Sequence, residues 1–145
     1  MAPITTTRYI EAPPESVFTV IADIGNWAKA VPDVVKIEML SDITTGVGTR
    51  FRETRLMKGK EGTTELEVTE YLANQRIRIV ADAGGTVWDS AHTVTPERGG
   101  TELELSMDAR PHTFLARLIT PFIKPMLTKV LAKDMDAVKA YCERS

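Results

Sequence analysis

Cysteine is almost absent. Cys142 is the single one in 145 residues, so no disulfide closes within the chain, and a reducing setting is expected. No apolar run is long enough to span a bilayer. The N-terminal stretch MAPITTTRYIEA also lacks the basic and then apolar regions of a secretion signal, so the expected location is the cytoplasm. Charge of one sign is not in excess. The 18 basic and 20 acidic residues leave a net charge of -2, which supplies no electrostatic footprint for nucleic acid or for an anionic membrane. Metal-ligand spacing is missing: there is no HxH, HxxxH or CxxC run, and His92 and His112 stand far apart, so no metal is expected. Without GxGxxG, GxxxxGK[ST] or GxSxG, dinucleotide, P-loop and serine-hydrolase chemistry lack their motifs, and no cofactor is expected. Repeats, low-complexity segments and linkers are absent as well. Residues 1–145 therefore read as one domain.

What is present is an ordinary globular balance, 43% hydrophobic and 26% charged, arranged with two clear periods. From His112 to Ser145, residues Leu115, Leu118, Ile119, Phe122, Ile123, Met126, Leu127, Val130, Leu131, Met135 and Val138 recur at three and four. That spacing predicts a long helix with a wide apolar stripe. Pro121 and Pro125 predict a break near Thr120, leaving His112 to Pro125 as a hinged flap with Phe114, Leu118 and Phe122 on its edge. Upstream, Ile4 to Glu11 reads as a strand. Two short helices follow, one opened by Pro14 and carrying Val17, Val20, Ile21 and Ile24, the other capped by Asn26 and stopped by Pro32. From Val34 the period is two, giving strands at about Val34–Met39, Thr49–Met57, Thr63–Leu72, Arg76–Ala81, Thr86–Thr95 and Thr101–Ala109. The short turns between them contain Gly59 and Gly62, Asn74-Gln75, Gly84-Gly85 and Gly99-Gly100. The expected class is α+β, a curved antiparallel sheet of seven strands around a kinked C-terminal helix.

The order of these elements, with PPESVFTVIADIGNWAKAVPDV, then GVGTRFRET, then TVTPERGGTELEL before the last helix, resembles the START-like, Bet v 1-like superfamily. Within it, the chain is similar to the polyketide cyclase/dehydrase and lipid-transport group. The resemblance spans nearly the whole chain and implies a helix-grip fold with a hydrophobic ligand under the long helix. It implies no shared catalytic motif, because superfamily members include carriers, receptors, storage proteins and enzymes.

Pairing Val94 with Leu103, Leu105 and Met107 on one face turns Trp88, Ser90 and His92 inward as a polar ladder. His92 has no acid or nucleophile beside it in sequence and reads as a ligand contact; a histidine satisfied by its neighbours and a general acid/base are the alternatives. On the strand from Thr49 to Met57, the register that buries less charge turns Phe51, Glu53, Arg55 and Met57 inward. Glu53 and Arg55 then form either a polar end to a ligand site or a structural ion pair. Asp134 falls on the apolar stripe and needs a partner, for which Arg55 or Arg78 is available. Met107, Phe122, Met126 and Val130 complete the expected ligand wall, and Trp27 stands either at its mouth or as a packing anchor.

Three functions remain open. The first is binding or transport of a small hydrophobic molecule (a lipid, an isoprenoid quinone or a polyketide-like aromatic) by a monomer or homodimer. The second is a cyclase/dehydrase-type enzyme in which His92 moves protons with Glu53 or Asp134. The third is a protein that docks on a larger complex, for which an exposed apolar patch around Phe114 and Phe122 would speak.

Overall fold

The computed structural model describes residues 2–144. Strand β1 (Ile4–Ile10) is followed by helix α1 (Pro14–Ala22), a 3-10 turn (Ile24–Asn26) and helix α2 (Trp27–Ala30). Six strands come next: β2 (Val34–Met39), β3 (Arg50–Met57), β4 (Lys60–Leu72), β5 (Arg76–Ala83), β6 (Thr86–Glu97) and β7 (Gly100–Pro111). The chain ends in α3 (Phe114–Arg144); Ser145, the expected end of that helix, lies outside the described residues.

The seven strands form one antiparallel sheet in the order β1-β7-β6-β5-β4-β3-β2. A meander from β2 to β7 needs only hairpins, and β1 closes the far side by pairing Ile4 with Met107 and Ile10 with Thr101. Bulges at Val34/Lys36 and Val68/Glu70 bend the β2 and β4 strands, which helps the sheet curl toward the helix. The result is the helix-grip arrangement.

Several local expectations are corrected. The β3–β4 hairpin turns on Lys58-Gly59, both with positive φ, and Gly62 lies inside β4; two residues in the left-handed region suit the tight primed turns that match strand twist. One residue earlier than expected, Arg98-Gly99 makes the β6–β7 turn. Gly100 instead opens β7, where a Cβ would stand 2.6 Å from the Ile10 carbonyl and from the Tyr9 hydroxyl. Asn26 does not cap α2 with its side chain, which donates to Asp23 instead at 2.7 Å. Pro14 does occupy the first turn of α1, where its missing N–H costs nothing.

The largest correction concerns α3, which runs through Pro121 and Pro125 without the break expected near Thr120. Both prolines sit on the exposed side, where the carbonyls left without an N–H partner, those of Arg117 and Pro121, are turned toward water. Nor is the apolar stripe a single face. The sheet and α1 cover Ala116, Thr120, Leu131, Met135, Val138 and Cys142, while Phe114, Leu115, Leu118, Ile119, Phe122 and Met126 remain exposed. The C-terminal half is tied to β1 by Arg8–Asp136 at 2.6 Å, Lys139 donating to the Tyr9 carbonyl, and Glu143 accepting from the Glu11 amide. The N-terminal half is held more sparsely, by the Thr120–Thr86 hydroxyl pair, by His112–Asp82 at 2.8 Å, and by Thr113 capping the Ala116 amide.

Candidate functional site

Alternation on β3, β6 and β7 turns one set of side chains toward α3, and the curl of the sheet keeps the helix from filling the space between. A cavity of about 120 Å³ lies there, walled by Ile21, Ile24, Leu66, Ile79, Leu105 and Val138, with Trp27 from α2 at its side. A second lobe of about 250 Å³ continues under the middle of α3 between Met57, Ala81, Trp88, Ile123, Met126 and Val130. Glu53, Arg55, Leu66, Met107, Leu131 and Asp134 border both lobes. The two spaces therefore meet at an ionic cluster.

That cluster joins sheet to helix. Arg55 donates from Nη1 to Asp134 Oδ1 at 2.9 Å and from Nε to Glu53 Oε1 at 3.4 Å, all three side chains being largely buried. Burial pushes the Glu53 carboxyl up, Arg55 pulls it back, and Asp134 and the Trp27 side chain act in opposite senses on what remains. The same desolvation raises Asp134, against the hydrogen bond and charge of Arg55. For Arg55 the penalty of burial is outweighed by its two carboxylate partners, which hold its pKa above the usual value. Arg78, the other partner considered for Asp134, lies on the opposite face of the sheet and forks onto Asp89, which Arg110 also contacts at 3.1 Å. That ladder holds Asp89 below the usual carboxylate range.

The polar ladder on β6 lies as the register required, with Ser90 and His92 lining the first lobe and Trp88 the second. Ser90 Oγ donates to the Ile79 carbonyl at 3.1 Å and the Trp88 indole to the Ala83 carbonyl at 3.2 Å, so both are satisfied by the sheet itself. His92 differs. Its Nδ1 is buried with no hydrogen-bond partner among the described residues, and Trp27 approaches its ring edge-on at 6.1 Å. No carboxylate among the described residues forms a hydrogen bond or ion pair with it, and burial pushes its pKa down to about 4. The ring is thus neutral near pH 7, with one buried nitrogen left unpaired.

This depressed pKa sets a pH dependence. The unfolded chain protonates His92 below 6.5 while the folded chain resists until about 4, so stability is complete above 6.5 and is lost as the pH falls through that window. His92→Gln is expected to remove about 2 kcal/mol of the loss between neutrality and about pH 5, read from urea unfolding at each pH.

Among the remaining expected wall residues, Phe51 is buried at the inner end, and Met107, Met126 and Val130 border the second lobe. Phe122 does not reach the cavity. It is 83% exposed and lines an outer groove instead. Sequence reasoning missed Ile21, Ile24 and Ile79 as lining residues, because nothing in their periodicity separates a cavity wall from a filled core. Among the described residues no group of three His, Cys, Asp or Glu side chains is arranged to hold a metal ion, and no helix is long and apolar enough to cross a membrane.

Comparison with known proteins follows the same lines. No curated protein matches the chain in sequence. Among solved structures, the chain is similar to a START superfamily protein from Mycobacterium smegmatis (TM-score 0.80, 14% identity, 99% of each chain covered). It is also similar to TTHA0849 from Thermus thermophilus (TM-score 0.78, 20% identity, covering 97% of this chain and 96% of that one). A third likeness is to half of the di-domain ARO/CYC StfQ from the steffimycin biosynthetic pathway (TM-score 0.79, 14% identity, 99% of this chain and 51% of that one). At such identities these likenesses speak for the fold. Because residues 1–143 match its sequence pattern, the chain belongs to the family described as polyketide cyclase / dehydrase and lipid transport, on the START-like helix-grip fold.

Proposed function

We propose that residues 1–145 form a single domain that binds a small hydrophobic molecule between the sheet and α3. The observation that carries this reading is a largely apolar cavity between sheet and helix, lined by His92 and the largely buried Arg55. A ligand hydroxyl that hydrogen-bonds the His92 ring, with its own ring or chain among Ile79, Leu105 and Val138, leaves the protonation of the site unchanged. Ser90 and Trp88 line its path, Arg55 orients a carbonyl or acidic group, and Phe51, Met107, Met126 and Val130 supply apolar contact. Lobes of this volume suit an aromatic ring system or a quinone head better than a whole two-chain lipid.

A cyclase-type reading has less support. A proton-transferring His92 needs a carboxylate within hydrogen-bonding distance and a pKa near the working pH, whereas here Glu53 and Asp134 are engaged by Arg55 and His92 stays neutral. The family is described as polyketide cyclase / dehydrase and lipid transport, so a polyketide-like aromatic is among the ligands to try.

The test is native mass spectrometry for a co-purified small molecule, together with fluorescence titration of a hydrophobic dye. Ser90→Phe, which fills the first lobe from its floor, is expected to weaken dye binding about tenfold or more while retaining cooperative unfolding. Equal dye binding by the parent chain and Ser90→Phe would count against the cavity.

A further inference from the structure

At about 100° per residue, Phe114, Leu115, Leu118, Ile119, Phe122 and Met126 fall within an arc of about 140° on α3, roughly opposite Ala116, Thr120, Leu127 and Leu131. This arc is uncovered: Phe114 is 78% exposed, Phe122 83% and Leu115 64%. An apolar surface of that extent on one helix exceeds the scattered exposed leucines of an ordinary domain. Next to it, the β3–β4 turn and the middle of α3 enclose an open groove of about 600 Å³ lined by Leu56, Met57, Phe122, Pro125, Met126 and Val130.

The charges along this stretch of α3 are basic. Between Asp108 and Asp134 the sequence holds no acidic residue and five basic ones, Arg110, Arg117, Lys124, Lys129 and Lys133. Lys58 from the turn joins Lys129 and Lys133 in lining the groove. Asp33, the acid that lines it, is neutralised by Lys133 at 3.0 Å. Neither Lys58 nor Lys129 makes a salt bridge among the described residues. The net charge of -2 conceals this local asymmetry, which is why composition alone argued against an anionic partner.

We propose that the exposed arc of α3 and the Lys58-Gly59 turn dock together on an anionic lipid surface. Phe114, Leu118 and Phe122 enter the headgroup boundary, and Lys58 and Lys129 face the lipid phosphates. A second copy of the chain fits less well, because a two-fold interface would bring the unpaired Lys58 and Lys129 of both copies into one contact while α3 holds no acidic residue before Asp134 to pair them. The groove shares Met57, Met126 and Val130 with the second lobe of the cavity, so the docked face lies at the opening through which a cavity ligand would pass. The proposal stands on the surface alone and holds whether or not the cavity takes a ligand.

Vesicle co-sedimentation tests it, comparing phosphatidylcholine alone with phosphatidylcholine containing phosphatidylglycerol. Binding is expected only to the anionic vesicles, falling with added salt. Lys58→Glu with Lys129→Glu is expected to weaken it about tenfold or more. Phe114→Ser with Phe122→Ser is expected to reduce it similarly, and since both rings are exposed the melting temperature should stay put. Equal binding to neutral vesicles, no binding at all, or binding indifferent to both double variants would overturn the proposal. So would concentration-dependent dimerisation in sedimentation velocity that the serine variant abolishes, with no vesicle binding, since the arc would then be an interface between copies. Dye titration without vesicles reads the cavity separately, so either proposal can fail alone.

Discussion

Arg55→Met is expected to lower the unfolding free energy by about 3–5 kcal/mol at neutral pH, measured by urea unfolding. Arg55 is the partner of two buried carboxylates, Glu53 on its own strand and Asp134 on α3. Removing it leaves both with only the Trp27 and Lys133 neighbours that offset a small part of their burial. The pH dependence carries a second signature. Both carboxyls have folded pKa values raised above their ordinary 4.5 and 3.8, so their contribution is most favourable when they are protonated and is lost as the pH rises through the raised values. Without Arg55 those values climb further. The gap between parent and variant should therefore narrow as the pH falls toward about 4. A companion with Glu53→Gln and Asp134→Leu added to Arg55→Met removes the uncompensated charges and should recover most of the loss. A constant gap across pH would sink the view that the cluster acts through charge.

Met135→Ala is expected to cost about 2–5 kcal/mol, whereas Phe122→Ala changes stability by less than about 0.5 kcal/mol. The two residues share a helix and a hydrophobic character. What separates them is the face: Met135 is 1% exposed between sheet and α1, and Phe122 is 83% exposed. Truncation at Met135 also enlarges the cavity it borders, so the variant should bind a larger hydrophobic dye despite being less stable, a combination a plain core position would not give. Thermal unfolding with and without dye distinguishes these outcomes. Similar destabilisation by the two substitutions would mean that the N-terminal half of α3 is covered in solution.

The strands were legible because a half-buried sheet imposes a period of two, and one wrong register would have turned His92, Leu105 and Phe51 to the outside. Inward placement of Glu53 and Arg55 followed from counting buried charge, a rule that local residues can satisfy. Turn positions slipped by a residue at Arg98-Gly99 and Lys58-Gly59, since any residue that tolerates positive φ can share a turn with glycine. The helix was harder. An apolar residue at helical spacing announces that a face avoids water or awaits a partner, but not which of the two, and so Phe122 and Leu131 looked alike.

Periodicity and turn chemistry between near neighbours were enough to specify the seven strands, the two short helices, the long terminal helix and the inward ladder of Trp88, Ser90 and His92. The packed fold alone decided that Arg55 takes Asp134 and leaves Arg78 to Asp89, and that His92 keeps a buried nitrogen unpaired. It also decided that α3 continues through its prolines and leaves one apolar arc uncovered. Those outcomes depend on how far the sheet curls before it meets the helix. That distance is set by bulges, side-chain volumes and ion pairs many residues apart, and no local pattern encodes it.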